Sequence, residues 1–369
     1  MRRDRLVTAG LVLGGVLVGA VAAELLLRAY VRYGGDAGTR LAEHDPLHVQ
    51  VEPLGTVGYK QRPGSAFRYY NGTVAHANSL GYRGPEITVD KPKDVLRVVL
   101  LGGSTTHGWG VHDTATIDAF MRRRLASERS PRYEIINAAM DGYDSRQILE
   151  RISNDVLRLD PDILIINGGI NDVRNARFPH LVEDDPRTLL WGGTLDRMRR
   201  EAIQGRSWWT TAKHHSLLLR LPGYLAAMRS QQTPKRDSTL IGFPEAADLF
   251  EDNLRDIVRI ASAHDIRLIF ATPPSSLRTR YAPGAAPEKS YWLGDAESTA
   301  KYRDTLAARM ERVASDPGKA AAPILYLRPT IPAEQFLDDA HLTAEGNAAI
   351  AAVFSEAVRR IATTMPAAP

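Results

Sequence analysis

Residues 96–107 read LRVVLLGGSTTH, an apolar run that stops at two glycines and a serine. A short, continuous apolar run that ends at such turn signals is typical of a buried strand. Similar runs recur at 133–137, 162–166, 266–271 and 324–327, with helical periodicity between them. This alternation predicts an α/β fold, in which a five-stranded parallel sheet carries helices on both faces. Sheets of this kind bind ligands at the carboxyl ends of their strands.

The predicted helices accompany the strands in regular order, at 114–128, 145–158, 246–264, 297–314 and 343–362.

One stretch, 174–245, interrupts the alternation between the third and fourth strands. It contains Trp191, Trp208 and Trp209, and a structureless loop of that length is uncommon inside a compact domain. We therefore expect one large α/β domain at 93–369 that carries a largely helical insertion at about 174–245.

The segment at 31–92 is rich in glycine, proline and aromatic residues and shows no long helical period. It is expected to be a linker followed by a strand-rich extension. Within it, Asn71-Gly72 separates two short runs of β-forming residues. An Asn-Gly pair in that setting predicts a β-hairpin.

The N-terminus has a composition unlike the rest of the chain. Residues 6–23 carry no charge, and three arginines precede them. About 18 apolar residues suffice to span a bilayer, and basic flanks stay cytoplasmic. This predicts a single-pass anchor at 1–30, with the N-terminus inside the cell and the rest outside. The alternative is a cleaved signal peptide, since Ala20-Val21-Ala22 is typical of a cleavage site and would leave a secreted protein.

Composition excludes several classes of function. The 369 residues include no cysteine, which excludes disulfides, thiolate metal sites and a cysteine nucleophile. The net charge is only +4, and no dense basic block marks a nucleic-acid partner. His214 and His215 are adjacent and would face apart on a helix, so we expect no metal, and nothing indicates a cofactor.

Ser104 follows the first predicted strand in the sequence Gly102-Gly103-Ser104. A serine at such a strand-to-helix turn presents its hydroxyl above the sheet edge, where it is able to act as a nucleophile. A phosphate-binding loop would need a lysine at its end, and a nucleophile elbow would need glycine at position 106. The sequence has Thr106 and His107 there instead.

Two further polar positions follow the second and third strands. Gly142 offers a backbone N–H, and Asn171 offers a side-chain amide. Donors aimed at one oxygen stabilise a developing oxyanion, although each residue alone is also compatible with an ordinary turn or cap.

Asp338 and His341 precede the last helix with a spacing of three. In a loop, this spacing lets the carboxylate reach back and orient the imidazole, which then accepts the serine proton. Asp339 is the neighbouring candidate, but it lies only two residues from His341 and should point elsewhere.

The four signals in this order resemble the SGNH hydrolases, also called GDSL esterases and lipases. The resemblance covers roughly residues 95–363, without the insertion, and implies a flavodoxin-like three-layer α/β/α sandwich. It implies that Ser104 is the nucleophile, and that Asp338 and His341 complete the triad. It also implies an oxyanion hole formed by Ser104, Gly142 and Asn171.

One position departs from the family pattern, because Gly103 stands where the family usually has aspartate. The residues 78–83, NSLGYR, together with the anchor, are similar to a membrane-tethered bacterial subgroup of the family. The expected function is that of an extracytoplasmic serine esterase whose acyl-ester substrate is a glycan, a lipid or another cell-envelope component. An O-acyltransferase acting on a polysaccharide is the main alternative, and a non-catalytic binding module is a weaker one. The oligomeric state is left open.

Overall fold

The computed structural model describes residues 2–34, 51–54, 57–69, 72–126, 132–173, 208–230, 244–282, 295–316, 318, 320 and 322–365. They divide into two compact units. The larger unit contains the sheet, and the smaller unit contains the N-terminal helix and the helices between 208 and 230.

In chain order, the elements are the helix α1 (Arg2–Tyr33), the strands β1 (Val51–Leu54), β2 (Gly58–Gln61), β3 (Ala66–Arg68), β4 (Val74–His76) and β5 (Val95–Gly102), the helices α2 (Ser104–His107) and α3 (Ile117–Leu125), the strand β6 (Arg132–Asn137), the helix α4 (Ser145–Arg151), the strand β7 (Ile163–Asn167), the helices α5 (Trp208–His215), α6 (Leu217–Ser230) and α7 (Pro244–Ala263), the strand β8 (Arg267–Ala271), the helices α8 (Leu277–Arg280) and α9 (Ala296–Ser315), the strand β9 (Leu325–Leu327) and the helix α10 (Ala344–Ala362).

The main sheet has five parallel strands in the order β6-β5-β7-β8-β9. This is the flavodoxin-like arrangement, in which the second strand lies outside the first. Register brings the strand ends into line, since Gly102 pairs with Asn167 and Leu100 pairs with Asn137. The loops that follow β5, β6 and β7 therefore leave the sheet side by side.

Both faces of the sheet are covered, which confirms the predicted three-layer fold. Alternate strand residues such as Val98, Leu100 and Ile165 are buried on one face, in a cluster with residues of α3 and α10. The neighbours Val99 and Leu101 point to the opposite face by the two-residue period of a strand. Helices α4, α7 and α9 pack against one another in the other helical layer.

One predicted helix is broken. The periodicity predicts a helix at 145–158, whereas the structure has α4 followed by a π-turn at Ile152–Val156 and a 3₁₀ turn at Leu157–Leu159. The N-terminus of α4 has a capping box, in which Asp144 accepts from the N–H of Gln147 and the Gln147 side chain returns to the N–H of Asp144.

The predicted hairpin is present. Strands β3 and β4 pair antiparallel, with Ala66 opposite His76. Gly72 in the connection has a φ of +82°, a left-handed conformation that glycine adopts readily. Asn71 lies outside the described residues. We call residues 57–69 and 72–77, which contain this hairpin and β2, the brace.

In the smaller unit, α1 holds one apolar helix segment, Val7–Tyr33, with a mean hydropathy of 2.2. Its 27 residues would extend about 40 Å, more than the ~30 Å hydrocarbon core of a bilayer. Membrane anchors and signal peptides both have such helices. Glu24 of α1 accepts hydrogen bonds from the N–H groups of Leu217 and Leu218 and so caps the start of α6. Of the predicted insertion, 208–230 is helical apart from Ser216, while 174–207 and 231–243 lie outside the described residues.

Candidate active site

A continuous hydrogen-bonded chain joins three of the predicted site residues. The Ser104 Oγ lies 2.7 Å from Nε2 of His341, and Nδ1 of the same ring lies 2.7 Å from Oδ2 of Asp338. Ser104 begins α2 directly after β5, and His341 lies in the loop before α10. The sheet thus brings together residues that are 237 positions apart.

The Asp338 carboxylate is held by its own loop. Its Oδ1 accepts from the N–H groups of Ala340 and His341, each at 2.8 Å. Both oxygens of Asp338 are thus engaged, and Oδ2 faces the imidazole. Two backbone donors to one carboxylate oxygen favour the ionised form that can steady an imidazolium.

Asp339, the neighbouring candidate, faces another part of the structure. Asp339 is buried, and its charge acts on Arg303. Burial lowers the pKa of the Arg303 guanidinium to about 10, and the Asp339 charge opposes this shift. The Ser275 hydroxyl donates to the backbone carbonyl of Asp339. The aspartate that hydrogen-bonds to His341 is therefore Asp338.

The predicted oxyanion donors lie close to residues 102–111, which carry Ser104 and which we call the serine turn. The Asn171 amide Nδ2 donates to the Tyr143 carbonyl at 2.9 Å and lies beside Gly103. Gly142 precedes Tyr143 and has a φ of +83°, a left-handed conformation that suits glycine. Ser104 is the first residue of α2, and N–H groups in a first helical turn have no acceptor within their helix.

Gly103, the departure from the family pattern, has a structural reason in this chain. A Cβ atom at position 103 would lie 2.5 Å from Nδ2 of Asn171 and 3.3 Å from the Tyr143 carbonyl. A side chain there would require the Asn171 amide to move. Glycine at 103 lets this amide approach the backbone of the serine turn.

Asp172 orders the loop after β7. The N–H and the hydroxyl of Ser145 both donate to its carboxylate, and the Asn253 amide donates to the same hydroxyl. These contacts connect the Asn171 loop to α4 and α7. The carboxylate of Asp172 is thus a buried acceptor within the scaffold.

Sequence reasoning missed an aromatic contact to the imidazole. The ring of Trp109 stacks on that of His341, with centroids 4.3 Å apart and planes 28° apart. Tyr69 of the brace meets Trp109 edge to face, at 5.6 Å. Trp109 carries no motif of its own, so only its position five residues after Ser104 could have drawn attention to it.

His107 is another residue of the structure to which the sequence assigns no role. The structure buries its ring completely and places it away from hydrogen-bonding distance of Ser104. Its Nδ1 lies 3.0 Å from Asp141 Oδ1 and 3.0 Å from the Tyr69 hydroxyl, and its Nε2 lies 3.2 Å from Gln61 Oε1. His107 therefore links the loop before Gly142 to the brace.

Comparison with known protein families places this geometry in a class. The model of the GDSL-like lipase/acylhydrolase family matches residues 100–349. The chain belongs to this family, the SGNH hydrolases of the sequence analysis, and is accordingly a carboxylic ester hydrolase.

Comparison with solved structures finds weaker likenesses. A GDSL-like lipase from Bacteroides thetaiotaomicron is 17% identical, with 72% of this chain and 88% of that chain covered and a TM-score of 0.40. LAE5, an α/β hydrolase enzyme from the metagenome of Lake Arreo, is 18% identical, with 72% and 95% covered and a TM-score of 0.41. A catalytic mutant of the acetylxylan esterase Axe2 from Geobacillus stearothermophilus is 15% identical, with 71% and 93% covered and a TM-score of 0.41. No curated protein matches the chain.

Proposed function

We propose that the chain is an extracytoplasmic, membrane-tethered serine esterase in which Ser104 is the nucleophile, His341 the general base and Asp338 the residue that orients it. The observation that carries this proposal is the hydrogen-bonded chain from the Ser104 hydroxyl through the His341 ring to the Asp338 carboxylate. Its distances suit proton transfer, which needs donor and acceptor within about 2.6–3.2 Å.

In the first half of the reaction, Ser104 Oγ attacks the ester carbonyl carbon while its proton passes to Nε2 of His341. The resulting oxyanion accepts hydrogen bonds from the N–H groups of Ser104 and Gly142 and from the Asn171 amide. When the tetrahedral intermediate collapses, the C–O bond to the alcohol breaks. The leaving alcohol takes the proton from His341, and an acyl-Ser104 ester remains.

In the second half, water attacks the acyl-Ser104 carbonyl and gives its proton to His341. Collapse of this intermediate releases the carboxylic acid and returns the proton to Ser104. Asp338 stabilises the imidazolium that forms in both halves. Each oxyanion donor is expected to contribute about 3–4 kcal/mol to the transition state, because removing one typically costs about 10²–10³-fold in rate.

The proposed location and substrate rest on the N-terminus. A single apolar helix follows three arginines, a pattern that favours a cytoplasmic N-terminus and an exported catalytic domain. An enzyme tethered there meets the cell envelope. We therefore assign it an acyl or acetyl ester on a glycan or another envelope polymer.

A fluorophosphonate probe tests the nucleophile. The wild-type chain should be labelled and should hydrolyse nitrophenyl esters, while Ser104→Ala should do neither. Ser153→Ala is the matched control, because the Ser153 hydroxyl, in the π-turn after α4, donates to the Leu149 carbonyl of the preceding turn. Equal labelling of Ser104→Ala and wild type would overturn the proposal.

Two further assays test substrate and topology. Nitrophenyl esters of increasing chain length, beside acetylated glycans, should show a preference for short acyl groups. With an acceptor sugar present, more acylated sugar than free acid would show that the enzyme is an O-acyltransferase and not an esterase.

A reporter fused after residue 369 should be active only outside the cytoplasm, and cytoplasmic activity would overturn the proposed location.

A further inference from the structure

Gly142 lies between two residues whose positions are set by the brace. Asp141 precedes it and Tyr143 follows it, and both make hydrogen bonds with residues more than eighty positions earlier in the chain. The direction of the Gly142 N–H depends on the peptide planes that these neighbours define. We call residues 141–143 the oxyanion loop.

Tyr59 of the brace contacts both neighbours of Gly142. Its hydroxyl donates to the Asp141 carbonyl at 2.6 Å, and its carbonyl accepts from the Tyr143 hydroxyl. The two tyrosine rings also meet edge to face, with centroids 5.4 Å apart. Tyr59 is fully buried and Tyr143 almost so, which limits the competition of water for these contacts.

His107 holds the oxyanion loop from the other side. Its Nδ1 contacts both the Asp141 carboxylate and the Tyr69 hydroxyl, and its Nε2 contacts the Gln61 side chain. Burial raises the pKa of the Tyr69 hydroxyl well above its usual range, and the Asp141 charge raises it further. Tyr69 therefore stays neutral beside the His107 ring. Through its contact with His107, the Asp141 carboxylate is held close to the turn that also carries Ser104.

The serine turn has anchors of its own. Arg83 is buried, and its guanidinium donates to the carbonyls of His107, Gly108 and Val111 at 2.5–2.9 Å. The Asn137 amide also donates to the carbonyls of Thr106 and His107. Because the turn is anchored in this way, the contact between His107 and Asp141 holds the oxyanion loop against a fixed part of the fold.

We propose that the brace aims the oxyanion loop, with Tyr59 and His107 as positioning residues for ester hydrolysis. This proposal rests on the proposed function, because it assigns Gly142 N–H to the oxyanion. A displacement of about 1 Å in a catalytic group can cost about 10²-fold in rate, so contacts on both sides of Gly142 matter for turnover. The brace precedes the family match, which begins at residue 100.

The first experiment compares two buried tyrosines that differ in what they touch. Tyr59→Phe removes the hydroxyl that donates to Asp141 and keeps the ring. Tyr82→Phe removes a buried hydroxyl outside the brace, which donates to Asp155 Oδ2 at 2.7 Å and makes no hydrogen bond to residues 141–143. Both variants should melt at lower temperature than wild type.

Only Tyr59→Phe should lose turnover. We expect kcat to fall about tenfold with KM within twofold, because an interaction made in the transition state affects kcat and not ground-state binding. Tyr82→Phe should keep kcat within twofold of wild type. Equal kcat values for the two variants would overturn the inference.

The second experiment uses an alkylboronic acid, which forms a tetrahedral adduct with a nucleophilic serine. Across Tyr59→Phe, Tyr69→Phe and His107→Gln, the affinity for the boronate should fall in parallel with kcat/KM. Melting curves identify any variant that folds poorly. An unchanged boronate affinity in all three variants would overturn the inference.

Ser104→Ala separates the two possible failures. If it keeps hydrolytic activity, the proposed function fails and this inference falls with it. If Ser104→Ala is inactive and Tyr59→Phe matches Tyr82→Phe, the esterase stands and only the role of the brace is lost.

Discussion

Two loops of the proposed site are organised in opposite ways. The loop at 338–341 holds its own carboxylate and imidazole through contacts between residues two or three positions apart. The oxyanion loop at 141–143 is held by residues 34 to 84 positions away, in the brace and in α2. In the first loop the contact between the functional groups is local, and in the second loop the positioning contacts join distant parts of the chain.

This difference has a physical consequence. The hydrogen bond between the Asp338 carboxylate and the His341 imidazole forms within one loop, whose backbone carbonyls accept from Ser275, Ser276 and Thr105. The oxyanion loop needs the brace to be docked, so it orders only when long-range contacts have formed. The two halves of the site should therefore respond differently to damage outside them.

The largest expected effect comes from breaking the local loop with Asp338→Asn. The amide cannot keep the His341 ring in the tautomer that accepts the serine proton, so kcat should fall about 10³–10⁴-fold. Ester hydrolysis near neutral pH measures this. Asp339→Asn is the matched control and should stay within about threefold of wild type. Comparable losses in both variants would contradict the assignment of Asp338.

The next effect tests the oxyanion side through Gly103→Asp, which restores the usual family residue. Because a Cβ here would come within 2.5 Å of the Asn171 amide, the substitution should displace that donor and lower kcat about 10²-fold. Asn171→Ala should have a loss of similar size. A Gly103→Asp variant as active as wild type would show that the amide does not need this position.

A smaller effect is expected at Trp109, whose ring stacks on His341 and meets Tyr69 of the brace edge to face. Trp109→Leu removes the ring stacked on His341 and should lower kcat about tenfold by loosening the imidazole. Trp109→Phe keeps an aromatic face and should recover most of the activity. Fluorophosphonate labelling rates provide the measurement, and equal rates for the two variants would argue against positioning by the ring.

The smallest effect concerns stability at the edge of the brace. Burial alone would raise the pKa of Asp113, but the hydrogen bonds from His76 and the Arg83 charge outweigh it and hold the pKa below its usual range. A pKa depressed by folding stabilises the protein above the unfolded-state value of about 3.9. That stabilisation disappears as the pH falls through the lower folded-state pKa.

Asp113→Asn should therefore lower the melting temperature at pH 7. The difference from wild type should shrink below about pH 4 as the wild-type carboxyl becomes protonated. The exposed Asp90→Asn serves as the control and should not change the melting temperature. A difference that persists unchanged at pH 3 would rule out the Asp113 charge as its source.

The comparison also explains what the sequence reveals. Five apolar runs and the helices between them predict the sheet, because burial between two helical layers requires such runs. The Asp338–His341 spacing predicts a contact pair because both partners lie in one short loop. Strand-to-helix turns predict where Ser104 and Asn171 lie, since parallel strands end at one edge of the sheet.

The contacts of the brace could not be predicted from the sequence. Nothing in the pattern around Tyr59 or Gln61 indicates that they meet His107 or Asp141, since such contacts depend on how the hairpin docks. The sequence assigns His107 no role, because its contacts with Asp141 and the brace exist only in the folded structure. The reason for Gly103 likewise emerges only once the Asn171 amide is placed beside it.

The position of the brace in the chain determines where the polypeptide tolerates being cut. Hydrolysis between residues 35 and 50 would detach α1 and leave the contacts of Tyr59, Gln61 and Tyr69 with His107 and Asp141 in one piece. Trimming to residue 100, where homology to the family begins, would instead remove Tyr59, Gln61 and Tyr69 and leave the Asp141 carbonyl without its tyrosine donor. A shortened chain for soluble expression should therefore begin before the brace, which starts at residue 57, and not at residue 100, where similarity to the family begins.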